Sequence, residues 1–175
     1  MQRRTLLGLG VAGSLTLAVL GGGAAWMLRT PAWRRGTLSP AGREVCLAVA
    51  RAVLDGSLPA DSERRAQALD AFLQRLSAAI ASLPPATQTQ LDEMLSLLAT
   101  APGRHLLAGL PQAWGAAPTQ AVHAALQSMR SSSLALRRQA YHALRDLTQG
   151  AYFADSTTWS AMGYPGPHPI AATNA

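Results

Sequence analysis

No lysine occurs in this sequence, and cysteine occurs only once. A single thiol, Cys46, makes no internal disulfide and cannot hold an iron–sulfur cluster, which takes about four thiolates. The C-x-x-C-H signature of a covalently attached haem is missing as well. No G-x-G-x-x-G follows a strand pattern, so no dinucleotide fingerprint exists. The four histidines (His105, His123, His142 and His168) include no pair at i,i+3 or i,i+4, which removes the helical metal-ligand motif. Ser131-Ser132-Ser133 lacks the G-x-S-x-G frame of a nucleophile elbow and reads as a helix junction. Cys46 follows Val45 in an apolar stretch and is expected as a small buried hydrophobe. No residue group offers itself as a catalyst, and the chain is not expected to be an enzyme.

Acids are scarce too, nine against fifteen arginines, giving a formal net charge of +6. Location decides what that charge means. Arg3, Arg4, Arg29, Arg34 and Arg35 precede residue 36, where there is no acid, and the remaining chain carries ten arginines against nine acids. No basic stripe is left to follow a phosphate backbone, so nucleic acid is not an expected partner.

What the chain does have is a distinctive beginning. Between Arg4 and Arg29 lie 24 uncharged residues, six of them glycine. As a helix this run would measure about 36 Å, enough to cross a bilayer. Arg3-Arg4 followed by Thr5-Leu6-Leu7 resembles the twin-arginine export signal, R-R-x-[F/L]-L before an apolar run, with Gly8 where a lysine often stands. The export signal is therefore assigned to Arg3, Arg4, Leu6 and Leu7. A plain membrane anchor or an ordinary secretory signal is the alternative, although the run is long for an apolar h-region of about 7–15 residues. Gly23-Ala24-Ala25 offers a cleavage site. Trp26 and Trp33 with Arg29, Arg34 and Arg35 would instead form an interfacial belt behind an uncut anchor.

Helix signals fill the middle. Ser39 is a candidate N-cap with Pro40 at the first helical position and Gly56 as a stop. Val45, Val49, Ala52 and Val53 share one face of that helix. Leu69, Phe72, Leu73, Leu76, Ile80 and Leu83 follow at helical spacing, and Pro84-Pro85 ends the run. Thr87 and Gln90 suggest a capping box before Leu91, Met94, Leu95 and Leu98. Later stripes run through Val122, Leu126 and Met129, then Leu136, Ala140, Leu144, Leu147 and Ala151 with Tyr141 alongside. Strand alternation is absent. The expected fold is all-α: a compact helical bundle behind an N-terminal signal or anchor helix, with an irregular aromatic and proline-rich C-terminal tail. The expected boundaries are a leader at 1–28, a linker at 29–38, a helical domain at 39–155 and a tail at 156–175.

The tail departs from the helical vocabulary. Residues 151–169, "AYFADSTTWSAMGYPGPHP", hold four of the nine aromatic residues and three of the eleven prolines. The wider run 137–167 resembles the C-terminal signature of the gluconate 2-dehydrogenase subunit 3 family, carried here by Arg138, Tyr141, Tyr152-Phe153, Ala154-Asp155, Trp159 and Gly163-Tyr164-Pro165-Gly166-Pro167. These are small subunits of bacterial membrane-associated, FAD-dependent sugar and sugar-acid dehydrogenases. Residues 36–130 match that family only in helical character. The resemblance implies a non-catalytic subunit without a cofactor of its own. It implies a large FAD-dependent partner of the glucose–methanol–choline type, often accompanied by a multihaem cytochrome c. It also implies export by the twin-arginine machinery to the periplasm, with the membrane reached through the N-terminal segment. Arg138, Tyr141, Tyr152, Phe153, Asp155, Trp159, Tyr164 and Pro165 become the expected partner-binding residues, since aromatics on a proline-stiffened segment lose little ordering entropy on contact. Two other readings stand beside this one. His123 and His142 on neighbouring helices would hold a b-type haem in an electron-transfer or quinone-linked bundle, or the chain is a membrane-anchored periplasmic helical domain of unrelated role.

Overall fold

A computed structural model describes residues 30–34, 36–159 and 162–166. Within them the chain is an α-helical bundle, as expected, of helices α1 (Pro40–Val53), α2 (Ser62–Ala81), α3 (Pro85–Ala99), α4 (Ala101–Gly103), α5 (Thr119–Arg130) and α6 (Ala135–Phe153). A π-helical turn, Arg104–Ala108, continues α4, and a 3-10 turn, Ser156–Thr158, follows α6. Two short antiparallel strands, β1 (Trp33–Arg34) and β2 (Thr37–Leu38), precede the helices and pair Trp33 with Leu38.

Helix α1 is the axis of the bundle and packs against α2, α3, α5 and α6. Its start is set by the Ser39 hydroxyl, which accepts the Gly42 N–H at 3.2 Å, and by Pro40 at the first helical position. The sequence suggests one apolar face, yet Cys46, Ala48 and Ala50 are buried along with Val45, Val49 and Ala52. Past Pro40 only the edge carrying Arg43, Glu44 and Arg51 stays exposed, and a helix covered over most of its circumference needs small side chains so that several neighbours can approach. The alanines supply that. Cys46 is buried as expected, and burial pushes its thiol pKa up to about 12.

Helix α2 begins at Asp61, whose carboxylate accepts the Arg64 N–H at 2.8 Å, and buries Leu69, Phe72, Leu73, Leu76 and Ile80. Helix α3 starts at Pro85, with Pro84 in the cap position and no side-chain cap. Thr87 therefore lies inside the first turn, and the expected capping box with Gln90 does not form. A proline with its φ already helical starts the helix instead. Trp114, between the π turn and α5, is 2% exposed and donates its indole N–H to Leu98 O at 2.8 Å.

The segment expected as a linker belongs to the fold. Ala32, Trp33 and Leu38 are buried. The Ala32 N–H donates to Ser96 Oγ at 2.8 Å, the Trp33 N–H to Asp92 Oδ1 at 2.7 Å, and the Trp33 indole N–H to Gln88 Oε1 at 3.2 Å. Gly42 lets the hairpin come this close, because a Cβ there would stand 2.5 Å from Ala32 O. Trp33 is thus a core residue and not part of an interfacial belt; Trp26, Arg29 and Arg35 lie outside the described residues.

The arginines explain their own distribution. Arg65, Arg75, Arg104, Arg137 and Arg138 each donate to backbone carbonyls at loops or helix ends. A planar guanidinium with several fixed donors suits that task. Much of the positive charge is tied into loops.

Candidate functional site: an aromatic corner clasped to the bundle

The expected partner-binding residues follow α6 from its first turns to the end of the described chain. At the start of the helix, Arg138 donates through Nη1 to the carbonyls of Ser132 and Ser133, at 2.7 and 2.9 Å. It braces the α5–α6 junction. Tyr141 is half-buried, with its ring edge-on to His142 at 5.2 Å. These two expected site residues sit about one and two turns from the N-terminal end of α6, well away from the others.

The remaining residues gather at the C-terminal end. Tyr152 is only 4% exposed and donates its hydroxyl to Ser57 O at 2.9 Å. Its ring meets Phe153 edge-to-face at 5.1 Å. This corrects the expectation for Tyr152. A phenol whose ring is buried and whose O–H is satisfied within the chain closes the chain's own core. Burial is also the main cause that raises its pKa, opposed by the nearby Arg75 guanidinium. Phe153 is half-buried beside it.

Asp155 turns the chain. Its carboxylate accepts the Thr157 N–H at 2.9 Å and the Thr157 hydroxyl at 2.7 Å, and so caps the 3-10 turn. The other carboxylate oxygen receives Arg75 Nη1 from α2 at 2.9 Å, while Arg75 Nε donates to Ala151 O at 2.8 Å. One guanidinium therefore holds both the end of α6 and the turn after it. The Thr157 hydrogen bonds, and then the Arg75 charge, hold the Asp155 carboxyl below the usual carboxylate range.

Beyond the turn the chain folds on itself. The Trp159 indole N–H donates to Phe153 O at 2.8 Å. The Trp159 carbonyl accepts the N–H groups of Met162 and Tyr164, both at 3.0 Å. Trp159 and Tyr164 meet edge-to-face with ring centroids 5.4 Å apart. Gly163 and Gly166 adopt φ of +70° and +99°, the left-handed region in which a side chain is strained. Those two glycines explain the spacing of Gly163-Tyr164-Pro165-Gly166. The result is a corner whose Trp159 is half-buried while Met162 and Tyr164 remain 48% and 47% exposed. Pro165 is exposed beside them. The chemistry on offer is recognition, through aromatic and thioether surface that is already ordered.

The structure thus brings Tyr152, Phe153, Asp155, Trp159, Tyr164 and Pro165 into one region and leaves Arg138 and Tyr141 apart. Arg3, Arg4, Leu6 and Leu7 lie outside the described residues, as do Pro167 and His168. Sequence reasoning missed Arg75 and Ser57, which anchor the corner. Arg75 carried no usable signal, since it is one of three arginines on a helix read for its apolar stripe.

His105, His123 and His142 are all exposed. Among the described residues no histidine faces the bundle interior, where a b-type haem would need its axial ligands. No group of three or more His, Cys, Asp or Glu converges on a metal-sized site among the described residues. No described helix is long and apolar enough to cross a membrane. Comparison with known proteins gives no match to this chain among family models, curated sequences or solved structures.

Proposed function

We propose that this chain is the small, non-catalytic subunit of an exported, membrane-associated flavoprotein dehydrogenase, as the likeness of its tail to the gluconate 2-dehydrogenase subunit 3 signature implies. The observation that supports this best is the aromatic corner. Trp159 and Tyr164 are held in place by Arg75, Asp155 and two left-handed glycines, yet Tyr164 and Met162 stay open to solvent. Surface that is ordered before binding suits a partner-docking role, because less entropy is lost on contact. In this reading Trp159, Tyr164 and Pro165 meet the large subunit, Phe153 and Asp155 support them, and Tyr152 anchors them to the bundle.

The leader completes the proposal. Arg3, Arg4, Leu6 and Leu7 direct the pair through the twin-arginine route, which moves folded cargo. A large subunit that binds FAD must fold before it crosses the membrane. This chain carries the address and the partner carries the cofactor. The complex would work at the periplasmic side of the inner membrane, with a multihaem cytochrome c as a further subunit.

The test is capture from periplasmic and membrane fractions, with bound proteins identified by mass spectrometry. A large flavoprotein lacking a signal of its own is the expected partner. Trp159→Ala and Tyr164→Ala should each weaken capture by about 2 kcal/mol or more, roughly 30-fold in affinity. Replacing Arg3 and Arg4 with lysine should hold both proteins in the cytoplasm, since the charge remains but the guanidinium geometry is lost. Absence of a flavoprotein among the captured proteins, or capture by both alanine variants as strong as by the unmodified chain, would overturn the proposal.

A further inference from the structure

Helices α5 and α6 present two rows of polar side chains to one shallow groove. His123 and Gln127 stand one turn apart on α5, and Tyr141, Arg145 and Gln149 stand at successive turns on α6. The groove encloses about 120 Å³, and Val53 and Leu126 contribute apolar wall. Each of the five polar side chains can donate a hydrogen bond. Among the described residues no acid lines the groove. Within the same residues, no hydrogen bond engages the side chains of His123, Gln127, Tyr141 or Gln149. Arg145 has a carboxylate partner only in its chain neighbour Asp146, at 3.7 Å, with the two side chains 45% and 64% exposed. That pair is loose and screened by solvent.

We propose that this groove binds a carboxylate. The Arg145 guanidinium takes the two oxygens in its planar fork. The Tyr141 hydroxyl and the Gln127 and Gln149 amides donate to the remaining lone pairs, with His123 closing one side. Val53 and Leu126 contact the carbon that bears the carboxylate. One fixed positive charge matches a monoanion, whereas a phosphate group with a charge of about −1.5 to −2 would be left undercompensated. The groove is far smaller than the roughly 300–1,000 Å³ of pockets that enclose drug-sized ligands. It therefore admits a carboxylate with its first carbons, supplied by a free small organic acid or by an acidic side chain of a protein.

The proposal is tested by NMR titration of the 15N-labelled full chain with the monoanion succinamate, N-acetylglutamate amide, neutral succinamide and inorganic phosphate. Saturable shifts confined to the groove are expected with succinamate, which points to a free acid, or with the capped glutamate alone, which points to a protein side chain. The neutral succinamide should leave the groove unshifted. Arg145→Gln should weaken the binding about tenfold or more, since charge-assisted hydrogen bonds are lost, and Arg64→Gln at the start of α2 should not change it. No saturable shift with either carboxylate would overturn the inference. So would equal binding of succinamide, tighter binding of phosphate, or an Arg145→Gln chain that binds normally.

Discussion

The two flanks of the bundle each carry a tryptophan whose indole N–H is satisfied, and they are held by different kinds of contact. At the front, Trp33 is 7% exposed and bonds Gln88, 55 residues away on α3. At the back, Trp159 bonds Phe153 O, six residues upstream, and packs on Tyr164 five residues downstream. The front hairpin is two residues per strand and is held by α3. The back corner builds most of its geometry from its own backbone and is then clasped to α2 by one arginine. A segment held by distant partners is part of the core however loop-like its composition. A segment that folds locally can keep its shape while leaving surface free for another molecule.

The largest effect should separate the two tryptophans. Trp33→Ala should cost about 3–5 kcal/mol, as aromatic truncation in a core does, lowering Tm by roughly 6–20 °C. Trp159→Ala in the isolated chain should cost less, about 0.5–1.5 kcal/mol for the aromatic pair plus the smaller apolar area of a half-buried ring. Cys46 gives a second readout. Its buried thiol should resist alkylation in the native chain and in Trp159→Ala, and react faster in Trp33→Ala. Equal melting of the two variants would erase the distinction drawn between the flanks.

A smaller loss should follow from Ser96→Ala. Ser96 is fully buried and its hydroxyl is the acceptor for the Ala32 N–H. Removing it strands a buried donor, at a cost of about 1–3 kcal/mol. Denaturant unfolding should show the loss, and amide exchange at Ala32 should rise with it. An unchanged midpoint would mean that the hairpin contributes little to the core.

The smallest effect belongs to the clasp at the back. Arg75→Gln should cost on the order of 1 kcal/mol or less at neutral pH, because both partners are partly exposed. Asp155 has a lowered folded pKa, so its contribution is present above its unfolded value of about 3.9 and is lost as pH falls through the folded value. The Trp159 indole N–H resonance should therefore hold its position down to about pH 4 and move only below it. In Asp155→Asn that acid transition should disappear. A transition near neutral pH would assign control of the corner to another group.

Much of this organisation was legible in the chain itself. Ser39 with Pro40 and the stripes of α2, α5 and α6 all depend on neighbours within a few residues, and periodicity reports such neighbours directly. The turn chemistry of Gly163-Tyr164-Pro165-Gly166 is local for the same reason. Tertiary structure alone decided that Ala32, Trp33 and Leu38 are core, that four helices cover most of α1, and that Tyr152 points inward. Each of those outcomes rests on a partner far along the chain: Ser96, Asp92 and Gln88 for the hairpin, four helices for α1, Ser57 for Tyr152. Arg75 belongs with them. Nothing in its own helix says that its guanidinium meets a carboxylate 80 residues later, because a side chain's long-range partner is set by how helices pack and not by the spacing of residues along them.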